Sequence, residues 1–436
     1  MSITRSIGIA TLVTGLAMGS AQAAVEFEWW HPLSSSKGKV LGELVDKFNA
    51  ANKDIVVKPV NKGGYAETLN AGIAAFRAGK APGLLVVLGR DTPTLMTSGA
   101  NYPVYQLMAD FGYKVDWSQF IEPALALFSD DKGPVSLPFN SSTPLLWYNV
   151  DAYEKAGIKS PPKTWDELGA VARKLKAAGF ECALTAGWPN WVHLDAYSQM
   201  EEIEVATNNN GMDGWNTKLV FNKQPKYVNH IKRLKGWIDE GIYTYSGRTG
   251  GSAREAFSSG RCAMSLQSSS SFLKVKKQAK FRFSAAYVPY ESGNKSPKNS
   301  LIGGGSLFVM AGQSKETYAA IAKFLDYLMQ VPQQKFWHQN TGYVPISIAA
   351  YEEGKAEGYY KENPHQELAI LQLKRGGKPG RLNRGLRFGY ASQVYTAMNE
   401  ELERVWAGEK EVQPALDDAA RRGSDIIARF VKTIGQ

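Results

Sequence analysis

Phe27-Glu-Trp-Trp30, then apolar residues at Leu41, Leu44, Val45 and Phe48, then Ile55-Val-Val-Lys-Pro-Val60: this succession decides the fold. The first stretch reads as a short strand. The four apolar residues that follow recur at helical spacing, behind a polar turn, Ser34 to Ser36, that carries N-cap residue types. Asn52-Lys53-Asp54 is a turn, and Ile55 to Val60 reads as a second strand. Strand, helix and strand at this length make a βαβ unit, which implies a parallel sheet. A second helix is predicted from Tyr65 to Ala78. Gly79 ends it, and Pro82 leads into a strand over Leu84 to Leu88. The N-terminal region is therefore α/β.

Upstream, Met1 to Ala23 reads as a secretory signal. Arg5 gives a positive start, Ile7 to Ala17 is apolar without a charge, and Ala21-Gln22-Ala23 is a small-x-small cleavage pattern. The apolar run is too short for a permanent bilayer anchor, and no later stretch reaches 18 uninterrupted apolar residues. No Cys follows it to carry a lipid. The expected mature chain starts near Ala24 and is released into the periplasm. Nucleic acid is then excluded as a partner. The net charge of +10 fits anionic solutes, a membrane surface, or merely a basic exterior. A chain of 436 residues predicts two or three domains, and 44% apolar with 11% aromatic residues supplies large cores. Cys182 and Cys262 could form a disulfide in that compartment or remain two buried thiols.

Downstream, Val135 to Tyr148 is extended, rich in strand formers and broken by prolines, which central strands tolerate poorly. It is expected to be an exposed crossing between two lobes. Thr164 and Glu167 form a capping box opening a helix that ends near Gly179, with Leu168, Val171, Ala172 and Leu175 as its buried stripe. Gly260 turns the chain from Phe257 into a short strand ending at Met264. Phe281 to Tyr290 is a second extended crossing. Leu301 to Met310 is strand-like and contains Gly303-Gly304-Gly305. Thr317 to Met329 is a helix, Pro332 starts another, and Gln393 to Val431 is mostly helical.

Catalytic motifs are absent. The five histidines make no His-Glu-x-x-His, and no Gly-x-Ser-x-Gly elbow or phosphate-binding loop occurs. Ser-x-x-Lys occurs at Ser34–Lys37 and at Ser271–Lys274, but its companion motifs are missing. No enzyme, metal or cofactor is expected. Binding features are better represented. Ser141-Ser142 lies in the crossing, Ser268 to Ser271 is a hydroxyl-rich turn after a strand, and Gly303 to Gly305 can bring backbone N–H groups close to an oxyanion. Trp29, Trp30, Trp188 and Trp191 could offer faces to a polyol, whereas Trp165 and Trp237 read as core. Gly187-Trp188-Pro189-Asn190-Trp191 is turn-like and should expose a ring at a cleft.

Six stretches, in order, carry a resemblance over essentially the whole mature chain: Leu69-Asn-Ala-Gly-Ile-Ala-Ala-Phe-Arg77, Pro138-Phe-Asn-Ser-Ser-Thr-Pro144, Pro161-Pro-Lys-Thr-Trp165, Ile302-Gly-Gly304, Thr341-Gly-Tyr-Val-Pro345 and Gly385-Leu-Arg387. The chain resembles the extracellular solute-binding receptors of bacterial ABC importers, and among them the glycerol-3-phosphate-binding branch. The resemblance implies an α/β, two-lobe fold of the maltose-binding type II kind with the ligand between the lobes. It implies an N-terminal lobe over 24–137 plus about 288–350 and a C-terminal lobe over about 142–284 plus 351–436. It further implies a monomer without cofactor that serves an inner-membrane permease with a cytoplasmic ATPase. Ligand-holding positions of the family match Tyr65, Ser142, Ser268, Gly304 and Tyr343, and its cleft tryptophans match Trp188 and Trp191. Two positions depart: Gly89 replaces a Glu that contacts glycerol, and Tyr395 replaces an Arg on the phosphate side. A lost charge-assisted contact costs about 1.5–3 kcal/mol, a ten- to hundredfold loss of affinity unless Arg90, Arg384 or Arg387 compensates. The implied ligand is glycerol-3-phosphate or a related glycerophosphodiester, with a sugar or polyol as the alternative.

Overall fold

A computed structural model describes residues 23–435. The secretory signal read over residues 1–23 lies, except for Ala23, outside them. The described residues contain eleven strands: β1 (Val25–His31), β2 (Ile55–Asn61), β3 (Leu84–Leu88), β4 (Asn101–Tyr102), β5 (Leu137–Pro138), β6 (Pro144–Asn149), β7 (Cys182–Ala186), β8 (Tyr243–Tyr245), β9 (Cys262–Ser268), β10 (Phe283–Ala286) and β11 (Gly305–Met310). They make two sheets. The first runs β2-β1-β3-β11-β4, with β5 also on β11, and the second runs β10-β6-β9-β7-β8.

The opening βαβ unit forms as the sequence predicts. β1 and β2 pair in parallel from Val25 opposite Ile55 to His31 opposite Asn61. The intervening helix, Ser35–Ala51, buries Leu41, Leu44, Val45 and Phe48. β3 is the apolar run Leu-Leu-Val-Val-Leu and is almost wholly buried, as a strand covered on both faces must be. In the second sheet β9, β7 and β8 are parallel, while β6 runs antiparallel to β9 and β10 antiparallel to β6. The predicted capping box holds helix Trp165–Ala177: the Thr164 hydroxyl accepts from the Glu167 N–H, and the Glu167 carboxylate accepts from the Thr164 N–H. The C-terminal helices Ala391–Trp406 and Val412–Thr433 pack on each other and bury Val394, Leu416 and Ile427 with the second sheet's core.

Two expectations are overturned. The crossing over Val135 to Tyr148 is not exposed: every residue from Val135 to Trp147 is buried. The prolines misled because each stands where no ladder N–H is required. Pro138 belongs to a two-residue strand, and Pro144 opens β6. β6 then lies between β10 and β9, and its side chains alternate between two cores. Leu145 and Trp147 enter the core of the first sheet, and Leu146 enters that of the second. The second crossing is not at Phe281 to Tyr290, whose β10 pairs with β6 inside the second sheet; the chain returns at Gly303, just before β11. Ser142 N donates to Gly303 O at 3.0 Å, and Gly303 N donates to Ser142 O at 2.7 Å.

The cysteines, left open by the sequence, form a disulfide. Cys182 and Cys262 are register partners at the first residues of β7 and β9, with Cα atoms 4.5 Å apart. Among the described residues no helix is long and apolar enough to cross a membrane.

Candidate functional site

The two sheets contribute opposite walls of a cavity of about 180 Å³. From the first sheet come Gly89 and Arg90, directly after β3, with Lys37 near the start of helix Ser35–Ala51 and Tyr65 opening helix Tyr65–Arg77. From the second come Gln267 and Ser268 at the end of β9, Ser270 beyond it, Trp188 and Trp191 after β7, and Arg254 in helix Gly250–Ser258. Ligand sites of open α/β sheets lie beyond the carboxyl ends of the strands, and this cavity has that placement for β3, β7 and β9. The paired crossings add Ser142, Gly303 and Gly304, and Asp195, Tyr343 and Tyr395 line it together with apolar residues such as Leu127 and Leu386.

The structure thus brings Tyr65, Ser142, Ser268, Gly304, Tyr343, Trp188 and Trp191 to one cavity, together with the departing positions Gly89 and Tyr395. Backbone requirements explain the glycines. Gly304 has φ +101°, and a Cβ there would lie 1.5 Å from the carbonyl oxygen of Asn140. A Cβ on Gly303 would lie 2.3 Å from the Trp191 ring, so the chain can lie flat on that indole only as glycine. The Gly304 N–H donates to no other group among the described residues. Trp188 takes a left-handed conformation, φ 56°, a strain that persists where surrounding structure holds the loop.

Hydroxyls of Tyr65, Ser142, Ser268, Ser270 and Tyr343 face the cavity. Asn140 Nδ2 donates to the Tyr65 hydroxyl at 3.1 Å. Tyr343 lines the cavity beside Tyr65 and Ser270. Ser270 Oγ lies 2.9 Å from Ser268 Oγ. Tyr343 follows Gly342, the left-handed residue that ends helix Val331–Thr341, and stacks on Trp337 at 5.9 Å between ring centres.

Charge is the feature that sequence reasoning missed. Lys37 and Arg254 both line the cavity, and no carboxylate lies within ion-pair distance of either among the described residues. Burial, reinforced by the Arg254 charge, pushes the Lys37 ammonium down to about 7. Its Nζ sits 4.0 Å from the centre of the Tyr343 ring. Burial likewise lowers Arg254, whose Nε is buried with no hydrogen-bond partner. The single carboxylate in the lining is Asp195. Burial pushes it up to about 7, against the Tyr395 hydroxyl that donates to it and the charge of Arg90. The Arg90 guanidinium lies 4.5 Å from the Tyr395 ring centre.

Three further expectations are corrected. Trp29 is fully buried against Phe139 and Phe324, and Trp30 lies under Lys62, so neither reaches the cavity. Of the three arginines offered as compensation at position 395, only Arg90 lines the cavity. The Arg387 guanidinium instead donates to the Ser129 carbonyl oxygen. Lys37 had a signal in Ser34-Ser-Ser-Lys37, set aside when that motif failed as a nucleophile. No motif marks Arg254.

Two sheet-based lobes with a cavity lined from both define a solute-binding receptor of the two-lobe, type II kind. The chain matches the family model for bacterial extracellular solute-binding proteins over residues 43–367 and belongs to that family. The family's members are substrate-binding receptors of ABC importers and not enzymes. The chain is 42% identical over 428 residues, 97% of each chain, to the sn-glycerol-3-phosphate-binding periplasmic protein UgpB of Escherichia coli K12. It is 43% identical over 419 residues, 95% of each chain, to UgpB of Salmonella typhimurium LT2. Its structure resembles UgpB from Mycobacterium tuberculosis in complex with glycerophosphocholine, with TM-score 0.76 and 21% identity over 94% of this chain and all of that one. Maltose-bound MalE3 of Thermotoga maritima shares the fold as well, with TM-score 0.75 and 18% identity over 92% of this chain and all of that one.

Proposed function

We propose that this chain is a periplasmic receptor that captures an organic phosphate of the glycerol-3-phosphate class and delivers it to an inner-membrane ABC permease driven by a cytoplasmic ATPase. The observation that carries this reading is the charge of the cavity: Lys37, Arg90 and Arg254 against Asp195 alone. Such a lining suits an anion, because a neutral ligand would leave the buried cations unpaired. Ser142, Ser268, Tyr343 and the Gly304 N–H donate to the phosphate, and Tyr65 meets the glycerol. The indoles of Trp188 and Trp191 cover the carbon skeleton. At the far end, Gly89 stands where the family has a Glu, its Cβ position 3.0 Å from Leu127 and 3.3 Å from Phe128, and Asp195 with Tyr395 offers an acceptor for a hydroxyl or a cationic substituent. That end favours a glycerophosphodiester over glycerol-3-phosphate itself. The receptor acts as a monomer, with lobes divided near residues 137–142, at Gly303 just before β11, and at about 350.

Calorimetry with glycerol-3-phosphate, glycerophosphocholine and maltose tests the reading. The expected result is micromolar or tighter binding of a phosphate and no binding of maltose. Ligand at about a thousand times its Kd should add roughly 4 kcal/mol of stability, visible as a thermal shift. Maltose binding in preference to both phosphates would reject the reading in favour of a sugar receptor.

A further inference from the structure

We infer that Lys37 and Arg254 form a cross-lobe anion latch: two like charges, one from each lobe, that only the ligand's phosphate can join. The inference rests on the organic-phosphate reading above and adds where the anion sits and what it does to the lobes.

The two residues belong to different sheets' cover. Helix Ser35–Ala51 fixes Lys37 to the first sheet through Leu41, Leu44 and Phe48. Helix Gly250–Ser258 fixes Arg254 to the second, where it packs on β9 and buries Ala253, Ala256 and Phe257. Their charges are close enough for Arg254 to act on Lys37. Both line the same cavity, and Arg254 Nε is buried without an acceptor. Buried charge is normally paired or hydrogen-bonded. Arg233 obeys that rule through two hydrogen bonds to Glu291, whereas Arg375 lies over the Tyr287 ring with Nη1 buried and unpartnered. What sets Lys37 and Arg254 apart is that they neighbour each other on the cavity wall, with no carboxylate in ion-pair contact with either among the described residues, and so mark a site that suits an anion.

The acceptor positions around them point the same way. Lys37 lies over the face of Tyr343, and Ser268 and Ser270, hydrogen-bonded to each other, line the same cavity. A phosphate seated there receives charge-assisted hydrogen bonds from both lobes and donors from these hydroxyls. Without it, like-charge repulsion opposes close approach of the two walls. With it, the same charges pull the walls together, so binding and closure are one equilibrium. The phosphate then lies at the Lys37–Arg254 end, and Tyr395, committed to Asp195, is not its partner.

The test uses the mature chain as wild type and as Lys37→Gln, Lys37→Met, Lys37→Arg and Arg254→Gln. Lys37→Met keeps an apolar stem on Tyr343 while removing the charge, and circular dichroism reports whether each variant folds. Glycerol-3-phosphate and glycerophosphocholine are titrated by calorimetry, and small-angle scattering reports compaction. Wild type should bind one of them and compact. Lys37→Gln, Lys37→Met and Arg254→Gln should each lose about 10- to 100-fold in affinity, the range for one charge-assisted contact. They should also compact less at saturating ligand, whereas Lys37→Arg should retain both properties. If wild type binds a phosphate and the folded neutral variants bind it within threefold and compact fully, the latch is wrong and the functional reading survives. If wild type binds neither phosphate, both fail.

Discussion

Lys37 makes ligand affinity depend on pH, and the sign can be worked out. Its ammonium, pushed down to about 7 by burial and by Arg254, is half ionised near neutrality in the free protein. An anion beside it, near Tyr343 and Tyr65, favours the charged form, so the bound-state value is higher. Binding therefore takes up a proton, and affinity falls as pH rises through and above 7. Asp195, pushed up to about 7, gains negative charge over the same interval, which disfavours a phosphate but favours a cationic substituent at its end. Glycerophosphoglycerol is the right probe, because it carries no cation and a diester lacks the second phosphate ionisation near pH 6. Its Kd should rise by up to about tenfold per pH unit above 7 and flatten in Lys37→Gln; a Kd constant from pH 6 to pH 9 would contradict this. At Gly304, alanine meets both a φ of +101° and a carbonyl oxygen 1.5 Å from its Cβ. Gly304→Ala should destabilise the protein by on the order of 3 kcal/mol in urea titrations and abolish binding. The seven positions implied by family resemblance were legible because their motifs are local. Lys37 and Arg254 were not, since what marks them is their meeting on one cavity wall without an ion pair, a property of three-dimensional neighbourhood.

Elements were legible where their cause is local and obscure where it is not. Helix Ser35–Ala51 and its flanking strands follow from one apolar stripe and two apolar runs, and all three appeared where the spacing placed them. The Thr164–Glu167 capping box needs only four residues and formed as expected. Burial of Val135 to Trp147 was hidden, because it depends on strands contributed from more than a hundred residues away, β9 and β11. The disulfide was hidden for the same reason: no local pattern sets Cys182 opposite Cys262 in the register of β7 and β9. That bridge encloses a long loop, a sequence separation of 80. Removing it by Cys182→Ser with Cys262→Ser should cost roughly 2–4 kcal/mol by urea unfolding. Both cysteines sit at the starts of their strands, and the cavity lies past the ends. Ligand affinity should therefore change less than threefold, and a larger loss by calorimetry would show that the bridge shapes the site.

For the whole molecule, the histidines set an acid limit. Four of the five are buried and His365 is half-buried, and burial holds each below its ordinary range: His31, His338 and His365 at about 4, His193 at about 3, and His230 lower than usual with His193 and Arg233 adding to the effect. An unfolded chain binds those protons near pH 6.5, so below that value unfolding takes up protons and stability falls with falling pH. Each group contributes up to about 1.4 kcal/mol per pH unit until its folded value is reached. Urea midpoints at pH 7.5, 5.5 and 4.5 should decline steeply, and a flat series would contradict the buried-neutral assignment. The crossings carry a different consequence. Ser142 and Gly303 are bonded to each other, and both border the cavity. On the proposed reading, the ligand is gripped next to the fulcrum on which the two halves would turn. In a lever held there, the load moves little while the distant rims sweep wide arcs. A permease that reads those rims receives a magnified copy of a small adjustment at the grip.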